Sequence, residues 1–280
     1  MTQTMTQAQQ ILPFGNPPIE LVQDSKMLWI YAVMNLIVAV GLTIWIMRRQ
    51  KGPGEKRLGV MALIGGVIST FVCPLWDHLS LVWHAPGDTV IATFMGGHVL
   101  TAWNAFAYYY FIGVLGLYVY QRIKAGATIQ DLWKFWGIMA VGDIVLEVPA
   151  QLINRNIYTY YGAQPFYSYD WFPLPMMCVF GNATVPLCSA AAIILLKATN
   201  VRGYIYFIPF FVASSWFALG YALPQWMWWT GLGSNGSVGV MAVIGIVSLI
   251  LTAFTHHVIA TASIRVVKAG ALNDKADQTT

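Results

Sequence analysis

Charge is nearly absent from this sequence. Asp, Glu, Lys and Arg make up 9% of the 280 residues, and 58% are hydrophobic, against about 25% charged in an ordinary soluble domain. So few ionic side chains cannot clothe a water-facing surface, which excludes a soluble fold. Cysteine is also scarce: Cys73, Cys178 and Cys188 lie in apolar runs. They lack the paired spacing of a zinc site or a disulfide framework, so they read as buried packing thiols. Histidine is limited to positions 78, 84, 98, 256 and 257. That dispersal rules out the four-ligand arrangement of a two-haem membrane cytochrome and the multi-histidine boxes of membrane desaturases. Lys is missing from the last apolar run, 238–264, so the Schiff base of a retinal protein cannot form there. The formal charge of +4 carries no nucleic-acid reading, because the placement of the basic residues accounts for it.

What is present is apolar length. Runs near the ~20 residues that cross a bilayer occur at about 27–47, 58–76, 94–120, 133–153, 173–196, 204–228 and 238–264. They predict an all-α, polytopic membrane protein. The expected layout is a polar segment over 1–26, a seven-transmembrane-helix bundle over 27–265 and a disordered tail over 266–280. Thirteen of the fifteen Lys and Arg follow runs one, three, five and seven, leaving only Lys26 and Arg155 on the other side. The positive-inside rule then puts the N-terminus outside and the C-terminus in the cytoplasm, and a bacterial plasma membrane is the expected location. The polar start lacks the basic-then-apolar order of a cleaved signal peptide, so the first helix is expected to be retained.

Fourteen Tyr, twelve Trp and fourteen Phe exceed what interfacial belts require, so many aromatics are expected to line an interior cavity. Candidate chemistry gathers on the trans side, whose loops at about 77–93 and 154–172 are the longest internal ones. Asp143 and Glu147 are four apart in one apolar run, without a basic neighbour in that run. They share a helix face, and two such acids at membrane depth predict that at least one stays neutral near pH 7, as a general acid requires. A second group runs through Trp76, Asp77, His78, His84, Asp88 and His98. Acid/base duty, metal ligation and a solvated interfacial loop are all open readings for it. His256 and His257 diverge by about 100° on a helix, so only one can face the bundle. Asn104 and Asn182 lie at membrane depth, suited to a substrate oxygen or to interhelical bonding. Asn235-Gly-Ser has the form of a glycosylation acceptor. Pro149, Pro173, Pro175, Pro186, Pro209 and Pro224 are expected to kink or end helices.

Two stretches carry a resemblance. Asp143-Ile-Val-Leu-Glu147 leads to Ile157-Tyr158-Thr159-Tyr160-Tyr161-Gly162, and Leu75-Trp76-Asp77-His78-Leu79-Ser80 precedes both. The chain over about residues 70–195 resembles the spirocyclase family of avermectin biosynthesis, the AveC-like integral membrane proteins. There an Asp-x-x-x-Glu helix leads to a Tyr-Thr-Tyr-x-Gly loop, and an Asp-Pro-Leu-Ser/Asn stretch has Pro where His78 stands here. The resemblance implies a membrane enzyme that dehydrates and cyclises a polyketide into a spiroketal. The residues themselves point to the same chemical class, a cofactor-independent cyclase or dehydratase acting on a hydrophobic small molecule through a cationic intermediate. A protonation-initiated membrane terpene cyclase needs the same equipment, and a proton-coupled lipid or small-molecule transporter is the non-enzymatic alternative. The expected catalytic residues are Asp143, Glu147 and Asp77. His78, His98, Trp103, Asn104, Tyr158, Tyr160, Tyr161, Asn182 and Trp216 are expected around the substrate, with no metal and no cofactor. Asp77, His98, Asn104, Asp143, Glu147 and Asn182 are expected to converge on one cavity opening toward the trans half of the membrane.

Overall fold

The computed structural model describes residues 17–21, 24–153, 157–199, 201, 203–234 and 237–272. Most of the expected N-terminal segment and tail lies outside them, as do Arg155, Arg202, Asn235 and Lys275.

The chain is a helical membrane protein. Helix α1 (Ser25–Arg48) begins where the Asp24 carboxylate accepts the Met27 backbone N–H at 3.2 Å, and it ends in Arg48. Helix α2 (Pro53–Ser69) starts on Pro53, and α3 (Cys73–Ser80) follows at a bend of 44°. Helix α4 (Ala102–Tyr108) runs through a π-helical turn, Tyr109–Val114, into α5 (Leu115–Lys124). Next come α6 (Ile129–Ile153) and α7 (Met176–Ala198). Helix α8 (Ile208–Ser215) continues through a second π-helical turn, Trp216–Ala222, into α9 (Leu223–Leu232), and α10 (Val238–Lys268) closes the bundle.

Among the described residues five helices are long and apolar enough to cross a membrane, or six if the bent α2–α3 pair is one span, and not the seven expected. The missing one is the run at 94–120. Its first part is not helical until Ala102, and the helix that follows carries Asn104 and the triplet Tyr108, Tyr109 and Tyr110, which dilute its hydropathy.

Helix α7 is the hub. Within its apolar stretch 78% of the residues are buried, against 11% for α6. It packs against α5, α6, α8 and α10. Trp136 of α6 donates to the Thr184 hydroxyl of α7 at 3.0 Å and stacks on Phe180. At one end of the bundle Glu55 accepts from Lys124 at 2.7 Å and from the fully buried Lys197 at 3.3 Å, gathering the loops after runs one, three and five. The opposite end holds two short ribbons that the all-α expectation did not include. Strand β1 (Val82–Trp83) pairs antiparallel with β4 (Thr159–Tyr160), and β2 (Val90–Thr93) pairs with β3 (Val99–Thr101).

Small residues set the closest helix approach. A side chain at Gly66 of α2 would meet the Tyr109 carbonyl at 2.5 Å and Gly113 at 3.0 Å. Both obstacles are backbone and cannot yield, so Gly66→Ala is expected to lower stability in detergent by about 1–3 kcal/mol, the usual cost of overpacking. Gly41→Ala on α1, where nothing lies within 4 Å, is the matched control and should be neutral or slightly stabilising. Thermal unfolding of the two variants checks the contrast.

Candidate active site

Asp143 and Glu147 lie on one face of α6, and Gln151 extends that face by another turn. Both carboxyls are half-buried. Helix α6 packs on α7 and α10, with no extended contact to α1 among the described residues. The two carboxyls lie within electrostatic reach of each other.

Neutral donors satisfy the rest. The Asn182 amide of α7 donates to both Asp143 oxygens at 3.2 and 3.1 Å, and the Tyr221 hydroxyl donates to the Asn182 carbonyl oxygen. On the other flank Tyr158 donates to Glu147, and the Gln151 amide donates to Tyr158 at 2.9 Å. Two short chains result, Tyr221–Asn182–Asp143 and Gln151–Tyr158–Glu147, meeting where the acids stand one turn apart. Tyr31 and Tyr110 lie within electrostatic reach of both acids, and Tyr110 donates to Asn35 of α1 at 3.0 Å. Among the described residues neither acid has an ion-pair partner.

A second polar cluster sits behind Tyr158. Asp77 on α3 is 1% exposed, lies 3.5 Å from His84 Nε2, and accepts from the Cys73 thiol at 3.4 Å. The Asn104 amide in turn contacts Cys73 Sγ at 3.3 Å. The ribbon register places His84 beside Tyr158: with Val82 opposite Tyr160 and Trp83 opposite Thr159, the next pair across is His84 and Tyr158. Their rings are 5.4 Å apart, and Trp103 packs on both, at 5.7 Å from His84 and stacked at 5.6 Å on Tyr158. The ribbon is itself pinned, since Gln164 donates to the Ser80 and Tyr161 carbonyls and accepts from Trp228.

The predicted residues therefore fall into groups. Asp143, Glu147, Asn182, Tyr158 and Trp103 assemble, and Asp77 and Asn104 join them at one remove. Trp216 is a further ring away, edge-on to Tyr221 at 6.1 Å. Tyr160 is buried on the ribbon against Tyr158 and Tyr167. Tyr161 is half-buried; burial first, then the Asp77 carboxylate, pushes it up to about 12. His78 and His98 stand apart as a pair joined at 3.1 Å, with His78 exposed and His98 against Trp83. His78 follows Asp77 directly and so points off another face of α3. His256 is the member of its pair that faces inward, against Trp133 and Trp136, while His257 is exposed. Among the described residues no three His, Cys, Asp or Glu side chains are grouped to hold a metal ion.

An apolar cavity of about 470 Å³ is lined by Leu36, Val40, Phe71, Ile91, Phe106 and Tyr109 among others. None of the six residues expected to converge on a cavity lines it. It lies across the seam between α1 and the helix starting at α4. That seam is held by Tyr31 against Trp103, Asn35 bonded to Tyr110 and Thr43 bonded to Tyr109 at 2.9 Å.

Comparison with family models, with curated proteins and with solved structures finds no match to this chain.

Five participants were missed from sequence: Tyr31, Asn35, Tyr110, Gln151 and Tyr221. Gln151 had a signal, the continued four-residue spacing after Glu147. The others arrive by tertiary contact.

Burial holds His98 below the ordinary histidine value of 6.5, the neighbouring Asp77 only partly opposing it. A histidine kept neutral by folding contributes its full stability above the unfolded value of about 6.5 and loses it as pH falls through the lower folded value. The unfolding temperature is expected to drop on going from pH 7 to pH 5, and the slope to lessen in His98→Gln. A pH series of thermal melts on both proteins measures it.

Proposed function

We propose that this chain is an integral membrane enzyme that protonates a hydrophobic small molecule and carries the resulting cation to a cyclised or dehydrated product. One observation carries the reading: a carboxyl pair on one face of a membrane helix, contacted by neutral donors and, among the described residues, by no cation. A salt bridge at that depth would neutralise the acids and serve packing alone. Two acids this close at membrane depth favour a proton on one of them, and beside Trp103, Tyr31, Tyr110 and Tyr158 it is available to a substrate oxygen or alkene. Aromatic faces stabilise the cation that follows. The resemblance to the spirocyclase family agrees with this class and favours a polyketide-derived hydroxyketone, with an isoprenoid as the competing substrate.

The proposed frame has seven crossings, with Ala102–Lys124 as the one too polar to stand out by composition. The Glu55 end is cytoplasmic, and the ribbons and carboxyl chain lie toward the outer leaflet of a bacterial plasma membrane. Substrate reaches the pair from the lipid side, where α6 and α1 do not pack together.

Glu147→Gln and Asp143→Asn keep the size and most hydrogen bonds of the wild-type side chains, so each should fold and extract normally. Turnover should fall by about 10²- to 10⁴-fold in each, the usual contribution of a positioned acid. Membranes carrying each variant would be fed dihydroxyketones and, separately, prenyl and epoxyprenyl substrates, with products identified by mass spectrometry. Full activity in both variants rejects the acid assignment, and products from one panel alone settle the substrate class. Protein-dependent uptake without any product would favour the transporter.

The proposed chemistry requires no metal. Activity should survive a strong chelator unchanged, with elemental analysis of the purified protein as the companion measurement. Stoichiometric zinc or iron whose removal abolishes turnover, restored on readdition, would reduce Asp143 and Glu147 to proton shuttles.

A further inference from the structure

Acid catalysis through a cation ends with a proton to be removed from the product. The residue best placed to do so is not among those the helix pattern singles out. His84 is 3% exposed, and its Nε2 faces the buried Asp77 carboxylate at 3.5 Å. Its other nitrogen, Nδ1, is buried and has no hydrogen-bond partner. An imidazole whose Nε2–H is directed at a carboxylate presents a bare lone pair at Nδ1, and the carboxylate stabilises the imidazolium once a proton arrives. A buried nitrogen left unbonded is costly in a finished core, and that cost is explained if a ligand supplies the missing donor.

The ring is also in the right place. It lies between Trp103 and Tyr158, and the Tyr158 hydroxyl is bonded to Glu147. The acid thus bonds the hydroxyl of the tyrosine whose ring packs beside the histidine. The ionisable groups facing His84 are Asp77 from α3, His98 from the segment before β3, Tyr158 from the ribbon and Glu147 from α6.

We infer that His84, held by Asp77, is the catalytic base of the proposed reaction, accepting at Nδ1 the proton that the cationic intermediate gives up. The inference rests on the acid reading above. The carboxyl pair protonates a substrate hydroxyl, the C–O bond breaks with its electron pair going to oxygen, and water leaves. A second hydroxyl oxygen of the same substrate bonds to the cationic carbon, and its proton passes to Nδ1. One proton leaves the carboxyl pair and one arrives at His84. Exchange with solvent restores both, so no co-reactant is needed.

Two measurements test it. Nitrogen-15 histidine NMR of the intact protein in detergent, with His84→Gln to assign the signal, should show His84 as the Nε2–H tautomer with bare Nδ1. Asp77→Asn should perturb that signal. A resting Nδ1–H tautomer overturns the inference, whatever the reaction turns out to be. In the assay, His84→Gln should lose turnover about 10²- to 10⁴-fold, and the acidic limb of the pH profile, where a base must first shed its proton, should disappear. Turnover that survives His84→Gln with that limb intact removes this base but leaves the carboxyl acid standing. No product from any panel substrate removes both.

Discussion

Two carboxyls on one face of a lipid-exposed helix must find hydrogen-bond donors that do not carry charge. Everything near them in this structure answers that demand. A cation would satisfy them more strongly, but at this depth it brings its own desolvation cost, and the pair would then be locked as an ion pair. The protein instead supplies an amide from α7 and a hydroxyl from the β1–β4 ribbon. Each donor is fixed by a further bond, to Tyr221 and Gln151.

That solution dictates the backbone. Tyr221 and Tyr110 each sit in a π-helical turn, the local widening that is common at functional sites because it re-aims a side chain without ending the helix. Gly181 permits the first of these, since a side chain there would collide with the Tyr221 ring at 2.4 Å. Leu81, with a left-handed φ of 54°, turns the chain off α3 and into β1. From there the ribbon register sets His84 against Tyr158. Backbone strain at Leu81 and two interrupted helices are thus found where the carboxyl chain and the Asp77–His84 contact are built.

Some of this was legible in the sequence and some was not, for definite reasons. Apolar runs read as helices because a bilayer leaves the backbone few other ways to satisfy its polar groups. Asp143 and Glu147 were legible because a four-residue spacing on a regular helix fixes a shared face, and Gln151 obeys the same rule. The ribbons were not, because two-residue strands have no period to read. Tyr110 and Tyr221 were hidden for a related reason: a π turn adds a residue to the cycle, so a helical wheel drawn from Ala102 or Ile208 projects everything beyond it onto the wrong face. His84 was visible as a residue type in a loop. Its pairing with Asp77 and Tyr158 depends on register across some seventy-five positions of chain, which no local pattern encodes.

The run that composition alone fails to identify as a span is also the one most involved in the site. Successive residues on α4 diverge by about 100°, and seven of the first nine from Ala102 divide among three neighbours. Ala105, Phe106 and Tyr109 line the apolar cavity against α1. Trp103 and Tyr110 reach toward the carboxyl chain, while Asn104 and Tyr108 meet Cys73 beside Asp77. A helix surrounded on three sides by protein has little surface to offer lipid, so selection for lipid solubility does not act on it. Hydropathy measures what a helix owes to the membrane, and the shortfall in this one measures what it owes to the interior.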